Sequence, residues 1–204
     1  MTRVKICGIT NLEDALLAAD LGAEALGFIF APSPRRISPS KARRIISRLP
    51  PFIHKIGVFG EENPDTMEKI MEYCSLDFVQ LHGEFPASHL HRLGRKAIKV
   101  FEMNKENVLD EIKKVSLPFF MLDLPKNEGE RSFAEWEITD EAKKAGKFIL
   151  AGGLKPENIE NILERVRPFA VDVCRGVEKE KGIKSPERLK EFIFRVRKWD
   201  FLRG

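Results

Sequence analysis

The sequence predicts an α/β protein in which residues 1–204 form a single (β/α)8 barrel domain. Three observations lead to this expectation. Hydrophobic runs recur eight times along the chain, and most are continuous, as in strands buried on both faces of a parallel sheet. Segments with helix signals separate the runs. The predicted strand ends follow one another at intervals of 20 to 29 residues, which is room for a loop, a helix and the next strand.

The eight runs define the strands in chain order. They cover residues 4–7, 25–30, 55–59, 78–81, 97–102, 119–123, 148–151 and 170–174. A doubly wound open sheet is the main alternative for such a pattern. Its first strand-to-helix turn usually carries GxGxxG when it binds a dinucleotide, whereas this turn reads CGIT. The barrel is therefore the favoured architecture.

The segments between the runs show where helices begin and end. Thr10 and Glu13 have the spacing of a capping box. Three pairs place a cap residue ahead of a proline at the first helical position: Ser38-Pro39, Asn63-Pro64 and Ser185-Pro186. Apolar residues at helical spacing define faces at 42/45/46/49, 108/112/115, 159/162/163/166 and 189/192/193/196. The expected helix at about 86–92 is short, and Gly22, Gly94 and Gly146 stand where helices should stop.

Composition narrows the class of protein. Hydrophobic residues make up 43% of the chain and charged residues 32%, which excludes a disordered chain. The net charge is +4, and the basic residues are interspersed with acidic ones, so no nucleic-acid partner is expected. No apolar run approaches the length of a membrane span, and the N-terminus does not resemble a signal peptide. The three cysteines lack the spacing of a metal site. We expect a cytoplasmic protein, and one Gln with seven Asn favours a heat-tolerant source.

Polar residues at the carboxyl ends of the strands are the candidates for chemistry, because barrel active sites lie there. Cys7 is either a small buried hydrophobe or a reactive thiolate at the mouth. Asp123 follows an apolar run, so it is either a general acid with a raised pKa or an aspartate that caps the next loop. His82 could be an acid, a phosphate partner or a strand-end residue, and Asp172 and Cys174 remain undecided.

Two glycine-bearing turns and one basic loop indicate an anionic ligand. Gly152-Gly153 and Arg175-Gly176 follow the seventh and eighth strands, where barrels often bind phosphate through backbone amides. The loop over 31–38 brings Arg35 and Arg36 to the mouth, and a guanidinium group matches a carboxylate. Ordinary turns and solvated arginines are the alternative interpretations.

The motifs also resemble a known family. KICGIT with LEDA, GFIF with SPRRIS, IGVF, VQLHG, FMLD, AGGL with PEN, and RPFAVDV with GVE occur in this order over residues 4–178. Together they resemble phosphoribosylanthranilate isomerase of tryptophan biosynthesis. The resemblance implies a cofactor-free and metal-free barrel that catalyses the Amadori rearrangement of N-(5-phosphoribosyl)anthranilate to 1-(2-carboxyphenylamino)-1-deoxyribulose 5-phosphate.

Residue roles follow from the same resemblance. It implies that Cys7 is the general base, that Asp123 is the general acid and that Arg35 holds the anthranilate carboxylate. Further implied contacts are His82 and Asp172 near the ligand, with Gly152, Gly153, Arg175 and Gly176 at the phosphate. The sequence departs from the family in the shorter loop 124–132 and in Cys174-Arg175-Gly176, where the family commonly has Ser-Ser-Gly. We expect Arg175 to contact the phosphate in place of the hydroxyl groups.

Two other functions fit a phosphate-binding barrel. The sister isomerase of histidine biosynthesis has a similar alternation of strands and helices, but it has an aspartate at the end of the first strand, where this chain has Cys7. The second alternative is a catalytically inactive phosphate-binding barrel. Loss of Cys7 or Asp123 would indicate such a protein, and both residues are present. The expected partner is a small phosphorylated aminosugar, with no membrane contact, and the oligomeric state stays open between monomer and homodimer.

Overall fold

The barrel is closed by eight parallel strands. The computed structural model describes residues 1–103, 107–115, 117, 119–124 and 133–203. The strands are β1 (Arg3–Ile6), β2 (Ala25–Ile29), β3 (His54–Phe59), β4 (Phe78–Leu81), β5 (Ala97–Glu102), β6 (Phe119–Asp123), β7 (Lys147–Ala151) and β8 (Ala170–Val173). Each pairs with the next, and β8 pairs with β1, so the predicted (β/α)8 barrel is confirmed.

A helix follows every strand of the barrel. The helices are α1 (Leu12–Asp20), α2 (Pro39–Ile46), α3 (Pro64–Cys74), α4 (Ala87–Leu93), α5 (Val108–Val115), α6 (Phe133–Ala145), α7 (Ile159–Val166) and α8 (Pro186–Arg203). Neighbouring helices such as α2 and α3, or α7 and α8, contact each other around the outside. Between β8 and α8 lies a short antiparallel hairpin of β9 (Glu178–Glu180) and β10 (Ile183–Lys184). No helix in the described ranges combines the length and the apolar character that a membrane span requires.

Three strands end one residue earlier than the sequence predicted. Cys7, Phe30 and Cys174 lie just beyond β1, β2 and β8. Cys7 N still donates to Val173 O at 2.9 Å, and Phe30 N donates to Val58 O at 2.9 Å. Both residues therefore keep one backbone hydrogen bond to the neighbouring strand while their chains turn out of the ladder. The two cysteines consequently stand at the rim of the barrel.

The cap of α1 differs from the predicted capping box. Asn11, and not Thr10, is the cap, because its Oδ1 accepts from Asp14 N at 2.8 Å while its Nδ2 donates to Asp14 Oδ2 at 2.7 Å. Thr10 instead donates its hydroxyl to Gly182 O at 2.6 Å and so holds the β9–β10 hairpin. Asn11 therefore supplies the cap bond to the third helical residue one position later, and the second bond joins the two side chains and does not return to the cap backbone as in a capping box. The other three predicted caps, at Ser38, Asn63 and Ser185, are confirmed.

The core has two layers that follow from the alternation of side chains along each strand. The outer layer lies between strands and helices and contains Val4 and Ile6 of β1. The inner layer fills the barrel itself, with Ile56, Ile98, Val100, Met121, Ile149, Ala151 and Ala170. Since Lys5 and Cys7 alternate with Val4 and Ile6, they face the barrel interior, as does Asp172, two residues after Ala170. The polar side chains of Lys5 and Asp172 therefore take the place of apolar side chains at the β1–β8 side of the barrel.

The position of the α1 cap gives a prediction about stability. Asn11→Ala removes the acceptor for Asp14 N and should lower the free energy of unfolding by about 0.5–2 kcal/mol. Asn11→Ser keeps an acceptor at the same place and should retain most of the stability. Urea denaturation of the two variants measures the difference. Equal free energies of unfolding for Asn11→Ala and the wild type would contradict the assigned cap.

Candidate active site

The mouth of the barrel collects the residues that the sequence analysis singled out. Cys7 and Cys174 follow β1 and β8, Asp123 ends β6, and His82 follows β4. The Gly152 turn follows β7 and adjoins Asp123, because a Cβ atom built on Gly152 would lie 2.8 Å from Asp123 Oδ1. All these groups therefore surround one opening. They do so because the carboxyl ends of parallel strands meet at the same end of a barrel.

Cys7 is buried at 5% exposure and lies beside a second thiol. β1 and β8 are paired with Ile6 opposite Val173, so the next residues, Cys7 and Cys174, are neighbours across the seam. A hydrogen bond from Cys174 lowers the pKa of Cys7, burial acts in the opposite direction, and the Lys5 ammonium group lowers it further. The net pKa of Cys7 lies below the ordinary value, whereas its bond with Cys7 raises the pKa of Cys174. The pair therefore favours a thiolate on Cys7.

A buried ion pair supports Cys7 from inside the barrel. Lys5 Nζ donates to Asp172 Oδ1 at 2.9 Å, and the two side chains are 2% and 8% exposed. Burial alone would lower the pKa of Lys5, but Asp172 and Cys7 raise it above the ordinary value. Lys5 therefore stays an ammonium group in the barrel. Asp172, which the family resemblance places near the ligand, lies opposite Lys5 in the β1–β8 pairing.

A second buried cation holds the rim together. Lys184 of β10 is fully buried, and its Nζ donates to Cys7 O at 2.6 Å, Cys174 O at 3.3 Å and Glu178 Oε1 at 3.2 Å. Because Cys7 O and Cys174 O end adjacent strands, Lys184 joins β1 to β8. The same ammonium group fixes the β9–β10 hairpin over the rim.

Arg35 points into the mouth and is held by Glu178. Its Nε and Nη2 donate to the two carboxylate oxygens at 2.7 and 2.5 Å, in a bidentate pair whose members are 12% and 6% exposed. Arg35 also lies over Gly8, since a Cβ built there would be 2.9 Å from its Cδ. The pKa of Glu178 is raised by burial but lowered more by Arg35 and Lys184, so it lies below its ordinary value. Among the described residues, Arg35 Nη1 makes no hydrogen bond.

The two glycine turns lie against each other. Gly152 and Gly153 have φ angles of +91° and +64°, and a Cβ on Gly176 would collide with the carbonyl oxygen of Leu154. Glycine is thus required both by backbone conformation and by close approach. Arg175 is exposed and has no hydrogen bond or ion pair with the described residues. Glu178, three residues after Arg175, is bound by Arg35 and Lys184.

His82 lies farther along the rim and is partly exposed. The amide nitrogen of Gln80 is 2.8 Å from His82 Nε2, so this ring nitrogen accepts a hydrogen bond. His82 N donates to Phe59 O at 2.9 Å, which fixes the residue at the end of β4. Cys74, in contrast, is 1% exposed and packs in the outer layer of the core.

Comparison with known proteins assigns the family. Residues 4–195 match the model described as N-(5'phosphoribosyl)anthranilate (PRA) isomerase. The chain belongs to this family. The N-(5'-phosphoribosyl)anthranilate isomerase of Geobacter sulfurreducens is 44% identical over 203 residues, covering 98% of this chain and 100% of the relative. That of Geotalea uraniireducens is 43% identical and covers 97% and 99%.

Solved structures of PRA isomerases agree with this assignment. The phosphoribosyl anthranilate isomerase of Thermotoga maritima has a TM-score of 0.89 at 40% identity and covers 97% of this chain and 100% of its own. A second structure, in complex with reduced 1-(o-carboxyphenylamino)-1-deoxyribulose 5-phosphate, has a TM-score of 0.87 at 38% identity with the same coverage. The PRA isomerase of Thermus thermophilus has a TM-score of 0.85 at 40% identity and covers 97% and 99%. The fold and the family expected from the motifs are both confirmed.

Three residues of the site in this PRA isomerase chain were missed or underused at the sequence level. Lys5 and Glu178 enter the sequence analysis only as letters of the KICGIT and GVE motifs, and Lys184 does not enter it. One signal was present for Lys5, because it precedes Cys7 by two residues and must share its face of β1. The loop beyond Leu124 falls outside the described residues, so the expectation about loop 124–132 is not addressed there.

The role of Lys184 at the rim gives a prediction about stability. Lys184→Met leaves the Cys7 and Cys174 carbonyl groups and Glu178 without this donor in a buried place. Breaking a buried charged network in this way should lower the free energy of unfolding by about 3–5 kcal/mol. Lys181→Met, three residues earlier and exposed, is the matched control and should change it by less than about 0.5 kcal/mol. If urea denaturation shows a similarly small decrease in the free energy of unfolding for both variants, the bridging role of Lys184 is contradicted.

Proposed function

We propose that this protein catalyses the Amadori rearrangement of N-(5'-phosphoribosyl)anthranilate to 1-(2-carboxyphenylamino)-1-deoxyribulose 5-phosphate in tryptophan biosynthesis. The observation that carries the proposal is the full-length match to the PRA isomerase family, with Cys7 and Asp123 at the rim of one barrel. The structural relative that holds the reduced product supports the substrate class. We further propose that the protein acts in the cytoplasm.

Asp123 is the proposed general acid. The substrate is a closed furanose, so C1 becomes reactive only when its bond to the ring oxygen breaks. Asp123 donates a proton to that oxygen while the nitrogen lone pair forms the C1=N bond, which gives an open-chain protonated imine. The carboxyl group at the end of β6 lies beside Gly152, whose missing side chain lets the turn after β7 pack closely against Asp123 and Leu124.

Cys7 is the proposed general base. Its thiolate removes the proton from C2, and the C2–H electrons form a C1=C2 bond as the C=N electrons move to nitrogen. The resulting enolamine loses its hydroxyl proton at C2 and gains a proton at C1, which yields the ketone. The protonated imine is the electron sink of this step, so the chemistry is complete with an acid and a base. The thiolate-favouring surroundings of Cys7 support this role.

The ends of the substrate are assigned to the two anion-binding parts of the mouth. Arg35 Nη1 meets the anthranilate carboxylate, while Glu178 keeps the guanidinium group in place through its other two nitrogens. The phosphate is bound by the backbone of Gly152, Gly153 and Gly176 and by the side chain of Arg175. His82 and Asp172 are proposed to contact the sugar between these two ends.

A direct assay distinguishes this function from its alternatives. Phosphoribosylanthranilate is fluorescent, so its loss can be followed with the purified protein. We expect rapid loss with the wild type and with Cys74→Ala, whose thiol lies in the outer core, and very slow loss with Cys7→Ala. Turnover of the histidine-pathway aminoaldose alone would support the sister isomerase. No turnover of either substrate would support an inactive phosphate-binding barrel.

The role of Cys7 gives a kinetic prediction. Cys7→Ser replaces the thiolate by a hydroxyl group that does not ionise near neutral pH. The variant should lower kcat by about 10²–10⁴, the usual contribution of a positioned proton-transfer group, with a much smaller change in KM. Steady-state kinetics with the fluorescence assay measure both constants. Near-wild-type turnover would return Cys7 to the role of a packed core residue.

Arg175 gives a prediction that separates binding from chemistry. Its contact with the phosphate lies far from the bonds that change, so it should be equal in the ground state and the transition state. Arg175→Ser should therefore raise KM about ten-fold or more and leave kcat within about three-fold. Lys179→Ser, an exposed lysine four residues later, is the matched control and should change neither constant. An unchanged KM in Arg175→Ser would mean that its side chain does not contact the phosphate.

The assembly state is proposed as monomer or homodimer. The phosphoribosylanthranilate isomerase of Thermotoga maritima is described as dimeric, and monomers of it have been generated. In either state, all eight strands whose carboxyl ends surround the mouth come from one chain.

A further inference from the structure

The charged groups around Cys7 do not balance unless Cys7 itself is ionised. The described groups that act on it are Lys5, Asp172, Cys174, Arg35 and Lys184, and Glu178 belongs to the same cluster because it is bound to both Arg35 and Lys184. Three of them are cations and two are carboxylates. Their side chains are buried or nearly so, and an unbalanced charge is costly in such a place. A thiolate on Cys7 makes the group electrically neutral.

Lys5 approaches the thiol from inside the barrel. Lys5 and Cys7 lie on the same face of β1, two residues apart, and both side chains pack over Gly27 of β2. A Cβ atom built on Gly27 would lie 2.8 Å from Cys7 Sγ and 3.0 Å from Lys5 Nζ. The sulfur and the ammonium nitrogen are therefore neighbours. Since Asp172 occupies only part of the donor capacity of Lys5, a second anion beside it is favourable.

Cys174 approaches the same sulfur from the rim. It follows β8 as Cys7 follows β1, and Lys184 ties the two carbonyl groups together. Cys174 Sγ is 3.9 Å from Glu178 Oε1 and 3.9 Å from Lys184 Nζ. Beside a carboxylate the Cys174 thiol keeps its proton, which it directs to Glu178 Oε1 in this structure and can redirect to a thiolate on Cys7 by rotation about the Cβ–Sγ bond.

We propose that Lys5 and Cys174 are positioning residues that hold Cys7 as a thiolate in the free enzyme. The Lys5 ammonium group balances the negative charge of the thiolate from inside the barrel, and the Cys174 thiol donates a hydrogen bond to it from the rim. The idea deepens the proposed function, because a base that is already ionised can remove the C2 proton at neutral pH. Cys174 fills the position where the family commonly has a serine, and a hydroxyl group would supply the same donor.

The matched variants are Lys5→Met with Lys5→Arg, and Cys174→Ala with Cys174→Ser. In each pair the first variant removes the charge or the donor, and the second keeps it. A thiolate absorbs near 240 nm whereas a thiol does not, so a pH titration of this absorbance follows ionisation without substrate. Subtracting the titration of the same protein carrying Cys7→Ser isolates the signal of Cys7.

The expected wild-type midpoint lies below about 8.5, the ordinary value of a cysteine. Lys5→Met and Cys174→Ala should each raise the midpoint by about one pH unit or more, while Lys5→Arg and Cys174→Ser should restore most of the shift. Because Cys7 acts as a base only when ionised, the acidic limb of kcat/KM should move to higher pH by the same amount. A purely structural role for these residues would change stability without moving either midpoint.

Two outcomes overturn the proposal. One is a wild-type Cys7 midpoint at or above the ordinary value, and the other is a midpoint unmoved by both Lys5→Met and Cys174→Ala. If Lys5→Met does not fold, the comparison of Cys174→Ala with Cys174→Ser decides alone. The absorbance titration needs no turnover, so an inactive wild-type protein with a low midpoint would reject the proposed function and leave this inference standing.

Discussion

The seam between β1 and β8 closes the barrel, and two buried ammonium groups hold it. Lys5 joins the strands inside the barrel through Asp172, and Lys184 joins their ends at the rim through two carbonyl groups. Hydrophobic filling would also close a barrel, and replacing buried ion pairs by apolar residues is often neutral or stabilising. The charges therefore have their main consequence at the mouth, where they set the ionisation of the thiol that both strands present.

The same constraint organises the rest of the site. Lys184 fixes the hairpin that carries Glu178, and Glu178 in turn orients Arg35 across the mouth. Asp123, the proposed acid, lies on another side, next to the glycine turn of β7. The proposed base, acid and carboxylate-binding group thus come from elements far apart in the chain, and the barrel brings them to one opening. A change at the seam should consequently affect proton transfer and binding together.

The repeated hydrophobic runs were sufficient to predict the barrel. A strand buried on both faces needs apolar residues at nearly every position, whichever apolar residues these are, and so appears in the sequence as a continuous run. The runs also placed Cys7, Asp123 and the glycine turns at strand ends. The buried lysines were beyond this reasoning, since lysine is almost never fully buried without a partner, and Asp172 and the Cys7 carbonyl group lie 167 and 177 residues away from Lys5 and Lys184. The cap of α1 was displaced because Thr10 and Asn11 both suit a cap, and only the hairpin contact of Thr10 decides between them.

Neutron diffraction from crystals grown in heavy water at neutral pD tests most directly whether Cys7 is the ionised base. Our account predicts no deuterium on Cys7 Sγ, three deuterium atoms on Lys5 Nζ, and one on Cys174 Sγ that points towards Cys7. Nuclear density for a deuterium atom on Cys7 Sγ, with Cys174 directed elsewhere, would contradict it.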